Sequence, residues 1–299
     1  MNAENTSKKP GLLKPIIFVI LIYIIGQIVA MIISTVFNPI IGNNYDLMSV
    51  VGSILLGLST LILTIYVSFR VFKFKTNEIG LNKYKLGSRL LIGFVLAFIC
   101  QLIMFIISLA LGTAQIQAVG LNIFALIIAL VISMSAGISE EILDRGFFVA
   151  ALKPTKNLLL ILLAPTLFFT IAHIINMVSI GLDLTLSILA LTTTFLAGIF
   201  LVLIVIRTGS LAIAIAWHAG WDFFTTIFGG NLSSLNTGSP LFVVTHIGPD
   251  ILTGGAYGIE ASVIALIVLV ILITLFYKFY PKSIHTTENK LMSLEFEQD

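Results

Sequence analysis

The chain has 299 residues, of which 58% are hydrophobic and only 10% are charged. Soluble proteins carry about 25% charged residues, so this composition excludes an ordinary soluble domain and predicts a polytopic membrane protein. The formal net charge is only +2, which gives no basis for nucleic-acid binding.

Eight apolar segments are long enough to cross a bilayer as helices, which takes about 20 residues each. They cover residues 16–37, 48–69, 89–111, 122–151, 158–178, 185–206, 210–228 and 259–280. We therefore expect an all-α fold, a polytopic membrane helix bundle with about eight transmembrane helices.

The same pattern divides the chain into four parts. Residues 1–15 read as a cytosolic tail and residues 16–111 as the N-terminal transmembrane helices. Residues 112–280 contain the remaining predicted helices. The polar residues 281–299 read as a second cytosolic tail.

Basic residues mark alternate connections between the predicted helices. The loops near 38–47, 112–121, 179–184 and 229–258 contain no Lys or Arg. Every basic residue except Arg145 falls in the other connections, in the tails, or within three residues of a segment end beside them. Because positively charged loops stay in the cytosol, this alternation predicts a multi-pass protein of the cell membrane with both termini in the cytosol.

The fourth segment ends in an acidic and basic cluster, Ser139-Glu140-Glu141-Ile142-Leu143-Asp144-Arg145. A charged side chain at the bilayer centre costs roughly 2.5–3.5 kcal/mol on insertion scales, so such groups usually face a cavity or have partners. Helical spacing places Glu140 with Asp144 on one face and Glu141 with Arg145 on an adjacent face. Glu141 and Arg145 fit a structural ion pair as well as a chemical role, whereas Asp144 fits a solvated position near the cytosolic interface.

Two other predicted helices carry polar and aromatic residues that are suitable partners for this cluster. Phe169, His173 and Asn176 share one side of the fifth helix, and His218 and Asp222 share one side of the seventh. A lone intramembrane histidine is often only an interhelical hydrogen bonder. Carboxylates and two histidines on three helices, in a chain with four histidines in all, favour a shared site.

The chemistry that suits this set is hydrolysis. A carboxylate beside a neutral histidine can hold a water and take its proton, and a second histidine can donate to a developing oxyanion. The same groups suit a divalent metal such as zinc, with Glu140, His173 and His218 as ligands if one is present. Because the sequence lacks a His-Glu-x-x-His motif, we expect no required metal.

The polar residues resemble the three ordered motifs of the CPBP intramembrane proteases, the family of the type II CAAX prenyl endopeptidases and of bacteriocin-processing or immunity proteins. The matching stretches are Glu140-Glu141-x-x-x-Arg145, Phe169-x-x-x-His173 with Asn176, and His218-x-x-x-Asp222. The run Arg207-Thr208-Gly209-Ser210-Leu211 and the Gly-rich run Gly254-Gly255-Ala256-Tyr257-Gly258 also resemble the family, so the resemblance covers about residues 121–280.

The resemblance implies that residues 112–280 are a protease core in which Glu140 and His173 activate the water. It implies supporting roles for Glu141 and Arg145, which would shape and orient the site, and for Phe169 and Asn176. Members of the family are described as metalloproteases, and the same residue set also works as a glutamate-type protease.

The resemblance further implies that His218 and the residue four positions later stabilise the oxyanion. This chain has Asp222 at a position where Asn is commoner. An amide donates a hydrogen bond to an oxyanion, whereas an ionised carboxylate repels it. Asp222 is therefore either protonated, or it orients His218 instead.

We thus expect an intramembrane endopeptidase in the lipid bilayer whose substrate is a small peptide or a lipid-anchored or other membrane-associated protein. A proton- or ion-coupled transporter is the first alternative, since buried carboxylates and histidines also form proton relays. Against it, the first three helices lack counterparts of the polar groups, and many transporters are built from two related halves. A catalytically inactive scaffold with the same fold is the second alternative.

Overall fold

A computed structural model of the chain describes residues 12–41, 45–233 and 240–279. The structure is 77% helical, and the predicted all-α fold of a membrane helix bundle is confirmed. The predicted C-terminal tail, residues 281–299, and residues 1–11 of the predicted N-terminal tail lie outside the described residues.

Helical structure occupies each of the eight predicted segments. The α-helices are α1 (Leu13–Ile41), α2 (Tyr45–Tyr66), α3 (Leu86–Ala110), α4 (Ile123–Glu141), α5 (Val149–Leu152), α6 (Leu158–Ala172), α7 (Ile174–Ser179), α8 (Leu184–Thr208), α9 (Ala212–Ile227), α10 (Asp250–Thr253) and α11 (Val263–Phe279).

Six helical stretches of the described chain are long and apolar enough to cross a membrane. They are Leu13–Pro39, Val50–Val71, Leu86–Ala110, Ile123–Thr155, Leu158–Ser179 and Leu184–Thr208. The two remaining predicted spans are the shorter helices α9, with 16 residues, and α11, with 17. The protein is therefore a multi-pass membrane protein.

The outer surface of the bundle is apolar, as a lipid environment requires. Leu184, Val178 and Phe124 are 77%, 73% and 70% exposed, and many other large apolar side chains are exposed on the same helices. The largest core lies on the opposite side of these helices, where Trp217 and Phe200 pack edge to face at a ring distance of 5.0 Å.

The fourth predicted helix changes its type where its charged residues begin. The α-helix α4 ends at Glu141 and continues as a π-helix over Ile142–Phe148 before α5. A π-helix bonds i to i+5 instead of i+4, so it turns the following side chains relative to a regular α-helix, and such segments are frequent at functional sites. Every residue of this π-helix is buried.

Helix α9 packs closely against both α3 and α4. A Cβ atom at Gly137 of α4 would lie 2.8 Å from the backbone nitrogen of Ala219, and one at Gly220 would lie 2.9 Å from the Cβ of Ala97 on α3. Small residues let helix backbones approach in this way within membranes. This close packing fixes α9, which carries His218 and Asp222, against the helix that carries Glu140 and Glu141.

The connections that carry the basic residues meet at one end of the bundle. The side-chain nitrogen of Asn82, between α2 and α3, donates to the carbonyl oxygen of Gly209 between α8 and α9 at 2.9 Å. Arg207 at the end of α8 donates to the carbonyl oxygen of Tyr277 near the end of α11, also at 2.9 Å. This grouping agrees with the predicted alternation of sides, and the assignment of this end to the cytosol stays a prediction.

The opposite end contains a feature that the sequence analysis did not predict. Strands β1 (Ala114–Val119) and β2 (Phe242–His246) form a two-stranded antiparallel sheet with an irregular register between Ile116 and Ala118. The sheet joins two of the non-basic loops, 112–121 and 229–258. Short strands in loops escape a search for long apolar runs, which explains the omission.

Candidate active site

A cavity of about 450 Å³ lies among the membrane-spanning helices. Its wall includes residues of α1, α2, α4, α6, α8 and α9, together with Ser233, Glu260 and Leu269. The volume is within the usual range for ligand sites, roughly 300–1,000 Å³. The polar residues predicted from the sequence converge on this cavity, which makes it the candidate active site.

His218 is held by the second carboxylate of the acidic cluster. Its Nδ1 lies 2.8 Å from Oε1 of Glu141, and since a carboxylate accepts, Nδ1 carries the proton that is donated. Glu141 also lies 2.9 Å from Nη1 of Arg145, and both of these side chains are fully buried. The predicted Glu141–Arg145 ion pair is therefore present, and Glu141 also accepts the hydrogen bond that orients His218.

Phe169 forms the apolar centre of this arrangement. The guanidinium carbon of Arg145 lies 4.3 Å from the centre of its ring, a cation–π contact. The ring also lies 4.6 Å from the ring of His173 and 5.8 Å from that of His218. The aromatic residue predicted as supporting thus packs against both histidines.

Several buried polar atoms of the cluster have no hydrogen-bond partner within the described chain. They include Oε2 of Glu141 and the Nε and Nη2 atoms of Arg145. Unpaired buried groups are rare in folded proteins, and strained or catalytic sites are among their usual locations. The contact of Arg145 with the face of Phe169 offsets part of the free-energy cost of leaving these atoms without hydrogen bonds.

The interpretation of Asp144 as a solvated residue is wrong. Asp144 is 3% exposed, lines the cavity, and places Oδ2 3.6 Å from Nη1 of Arg145. It lies inside the π-helix, whose wider turn brings both Asp144 and Arg145 to the interior. The sequence predicts a regular α-helix here, in which Asp144 would lie near the cytosolic interface.

Glu140 is the most accessible acid of the cluster. Its side chain is 37% exposed, it lines the cavity, and its Oε2 lies 4.0 Å from Nε2 of His218. The structure brings it to the same cavity as His173, the residue predicted to share its water.

His173 lies at a break in the fifth predicted helix. Helix α6 ends at Ala172 and α7 begins at Ile174, so the predicted single helix over 158–178 is two helices. Nδ1 of His173 lies 2.8 Å from the carbonyl oxygen of Phe169. Since a carbonyl only accepts, Nδ1 must be the donor, and Nε2 of a neutral ring keeps its lone pair.

The remaining predicted residues, Asn176 and Asp222, also line the cavity. Asn176 lies on the short helix α7 and is exposed. Oδ2 of Asp222 lies 3.8 Å from Nε2 of His218, which is beyond hydrogen-bond distance. Because Glu141 holds Nδ1 of His218, the geometry leaves Asp222 free of the orienting role.

Two lining residues were missed by the sequence analysis. Glu260, just before α11, accepts hydrogen bonds from Nε1 of Trp221 at 2.8 Å and from the backbone N–H and hydroxyl of Ser233 at 3.0 and 2.8 Å. Tyr23 of α1 donates to the carbonyl oxygen of Ala172 at 3.4 Å. In the sequence, Glu260 is marked only by being a single acid at the edge of an apolar run.

Burial, and to a lesser extent the negative charge of Glu260, raises the pKa of Tyr257. Tyr257 lies in the segment before α11 and is 1% exposed. Its phenol therefore stays uncharged and adds no second anion to the surroundings of Glu260.

The donor set does not present a ready metal site. Over the residues that the structure describes, no three His, Cys, Asp or Glu side chains are grouped so that they could hold one metal ion. Glu141 occupies Nδ1 of His218, and Nε2 of the same ring is 4.0 Å from Glu140. Glu140, His173 and His218 therefore do not fit a three-ligand metal site in this arrangement.

Part of the chain matches a model of a known protein family. Residues 122–224 match the family model described as "Type II CAAX prenyl endopeptidase Rce1-like". The matched region runs from the start of α4 into α9 and contains all eight predicted catalytic and supporting residues, so the predicted resemblance is confirmed over this region. It ends before the Gly-rich run at 254–258. No curated protein matches the chain.

Proposed function

We propose, from the premise that residues 122–224 belong to the type II CAAX prenyl endopeptidase Rce1-like family, that the protein is an intramembrane endopeptidase. Its substrate is a small peptide or a membrane-associated protein, and a water activated by Glu140 and His173 attacks the scissile bond. One observation carries this proposal: Glu140, His173 and His218 line a single cavity enclosed by membrane-spanning helices.

The accessible carboxylate of Glu140 is the proposed general base. It faces the cavity and makes no direct ion pair with Arg145, which is bound to Glu141 and lies near Asp144. Glu140 takes a proton from the water as the water oxygen bonds to the carbonyl carbon. The same carboxyl group then delivers that proton to the departing amine, so the base is regenerated.

His173 is proposed to position the water. Its Nδ1–H is committed to the carbonyl oxygen of Phe169, so Nε2 is available to accept a hydrogen bond from the water. A water held between Nε2 and the carboxylate of Glu140 has its oxygen lone pair free for attack. Orientation of this kind supplies a large share of the rate enhancement in hydrolases.

His218 is proposed to stabilise the oxyanion through Nε2–H. Its Nδ1–H is donated to Glu141, so a ring that also donates through Nε2 is an imidazolium. Its charge is stabilised by Glu141, which is shared with Arg145, and by the nearby Glu140. A neutral carboxyl group at Asp222 is the proposed second donor. Donors fixed before the reaction cost no reorganisation when the negative charge develops.

We place the protein in the cell membrane with both termini in the cytosol. The basic connections meet at one end of the bundle, and the sheet joins the non-basic loops at the other. Single cysteines at Lys83 and Gln117, in a Cys100→Ser background, should react from opposite sides of sealed vesicles. Equal reaction of both from one side would contradict this topology.

The peptidase proposal is tested with purified protein in liposomes and one quenched fluorescent peptide, prepared with and without a farnesylated cysteine. Wild type should cleave at least one form, and Glu140→Ala should lower the rate by about 10²–10⁴-fold, the usual contribution of a general base. Glu78→Gln, which alters a carboxylate outside the cavity lining, is the matched control.

Two outcomes would change the proposal. Full activity of Glu140→Ala would exclude Glu140 as the base. Absence of product from wild type with either peptide would favour the inactive scaffold or the transporter.

Pretreatment of the protein with a chelator should leave the cleavage rate unchanged. A loss of activity that only zinc or another divalent ion restores would reverse the expectation of no required metal.

A further inference from the structure

The wall of the cavity carries more acids than cationic groups, because the His218 imidazolium of the proposed mechanism is the single cation among its described residues. Glu140, Asp144, Asp222 and Glu260 contribute carboxyl groups to it, and no Lys or Arg is among the described residues of the lining. Arg145 is fully buried behind the wall and bonded to Glu141. In a low-dielectric interior this imbalance opposes an anionic ligand and favours a cationic one.

Glu260 is an acid held in place. Its Oε1 accepts from the indole of Trp221, and its Oε2 accepts two hydrogen bonds from Ser233. A carboxylate offers about four acceptor positions, so three donors leave room for one more. A fixed carboxylate with an open acceptor position at a cavity wall is suited to bind a ligand N–H group.

Asp222 gives a second and independent indication. It is 6% exposed and lines the cavity, yet its carboxyl group has no hydrogen bond within the described chain. The nearest recorded partner is Nε2 of His218 at 3.8 Å. Whether neutral or ionised, this group retains a free acceptor oxygen that a ligand donor would satisfy. Asp222 and Glu260 also lie close enough together to interact electrostatically.

We propose that Glu260 and Asp222 form a specificity subsite for a lysine or arginine side chain of the substrate, close to the bond that is cleaved. This inference rests on the proposed peptidase function. The ammonium or guanidinium group donates to Glu260 and to the free oxygen of Asp222, and its positive charge pairs with the carboxylate of Glu260. A free substrate carboxylate at the same position meets the negative charge of Glu260 and is disfavoured.

The test uses matched peptides and a binding measurement that does not depend on cleavage. Quenched peptides of one Ala-Leu sequence carry lysine, norleucine or glutamate at each of the central positions in turn. With wild type, lysine at one position should raise the cleavage rate about tenfold over norleucine, and glutamate there should lower it. Binding of the same peptides to the Glu140→Gln protein should show the same order.

Substitutions test whether Glu260 is responsible for the lysine preference. Glu260→Gln removes the charge and keeps one oxygen that accepts from Trp221, whereas its amide nitrogen cannot accept from the Ser233 N–H. The lysine-to-norleucine ratio should then fall towards one. Trp221→Phe removes the indole donor and leaves the charge, so the ratio should persist. Glu78→Gln removes a charge outside the cavity and should also leave the ratio unchanged. Rescue of lysine selectivity in Glu260→Asp would support a charge effect rather than a structural one.

The outcomes separate the two proposals. Equal rates and equal binding for lysine and norleucine at every position would overturn the subsite, as would an unchanged ratio in Glu260→Gln. Absence of cleavage together with a charge-dependent binding that Glu260→Gln abolishes would overturn the peptidase and support the subsite. Cleavage without any charge preference would support the peptidase alone.

Discussion

The two histidines of the site are held in opposite ways. His218 is 8% exposed, lies within a continuous helix, and is bonded to a fully buried carboxylate. His173 is half-buried, lies at the break between α6 and α7, and is bonded only to a backbone carbonyl in its own helix. Its neighbours Ile174 and Ile175 are 39% and 59% exposed.

This difference suggests a division of labour between the two helices. A donor for an oxyanion must be fixed before the charge develops, which suits the tightly packed α9. A residue that positions water beside an incoming peptide benefits from a segment that can adjust, and helix breaks tolerate such adjustment. We therefore expect substitutions near His218 to damage the protein's stability and activity together. Substitutions near His173 should affect activity with little change in stability.

The largest effect is expected from the water-activating residues. Glu140→Ala and His173→Ala should each lower kcat/KM by about 10³-fold, and the double substitution should be no worse than either, because the two act as one unit. The thermal midpoint should barely change for His173→Ala. Losses that multiply in the double variant would show that the residues act in separate steps and would break the proposed pairing.

The second prediction concerns the packing that fixes His218. Gly137→Val places a branched side chain against the backbone of Ala219, so α4 and α9 must separate. We expect destabilisation of about 1–3 kcal/mol. We also expect a loss of about 10²-fold in kcat, since small displacements of catalytic groups have effects of this size.

The matched control for Gly137→Val is Gly87→Val. A Cβ at Gly87 has no neighbour within 4 Å, so the same substitution there should leave the thermal midpoint and the rate nearly unchanged. A normal rate in a stable Gly137→Val protein would mean that the position of α9 is not critical.

The third prediction concerns Asp222 beside the fixed histidine. As a neutral donor, Asp222 would lose its proton as the pH rises, and the wild-type rate would fall. Asp222→Asn keeps an N–H donor at every pH, so this variant should remain active and lose the alkaline fall. The measurement is a pH–rate profile of both proteins. A folded Asp222→Asn protein that is inactive at every pH would exclude the donor role.

The smallest effect is expected at Tyr23, whose hydroxyl bonds to Ala172, the last residue of α6. Tyr23→Phe removes the hydroxyl that donates to Ala172 and keeps the edge-to-face contact of its ring with Phe168 at 5.8 Å. A single neutral hydrogen bond contributes about 0.5–1.5 kcal/mol, so the rate should change by no more than about tenfold and the thermal midpoint only slightly. A loss as large as that of His173→Ala would give the hydroxyl a direct part in the reaction.

Helical spacing predicted much of this site from the sequence. It placed Glu141 with Arg145 and His218 with Asp222 on shared faces, and the structure has both pairs. It could not predict the bond between Glu141 and His218, which are 77 positions apart, because that contact depends on how closely α4 and α9 approach. Such an approach is set by glycine contacts between backbones and not by the polar residues themselves.

The errors have local causes. Asp144 was assigned to the interface because a π-helix has no plain sequence signature. The break at His173 was missed because no glycine or proline marks it in Ile171-Ala172-His173-Ile174. Glu260 was missed because one acid at the edge of an apolar segment resembles an interfacial residue, and its partners Trp221 and Ser233 come from other parts of the chain.

The sheet at the non-basic end has a consequence for biosynthesis. Strand β1 leaves the ribosome well before β2, with four of the long helices between them in the chain. Until β2 arrives, the N–H and C=O groups of β1 lack the partner that the finished fold provides, and an unpaired edge favours association with other chains. Chains truncated after α9 should therefore insert most of their helices and yet aggregate through the exposed β1.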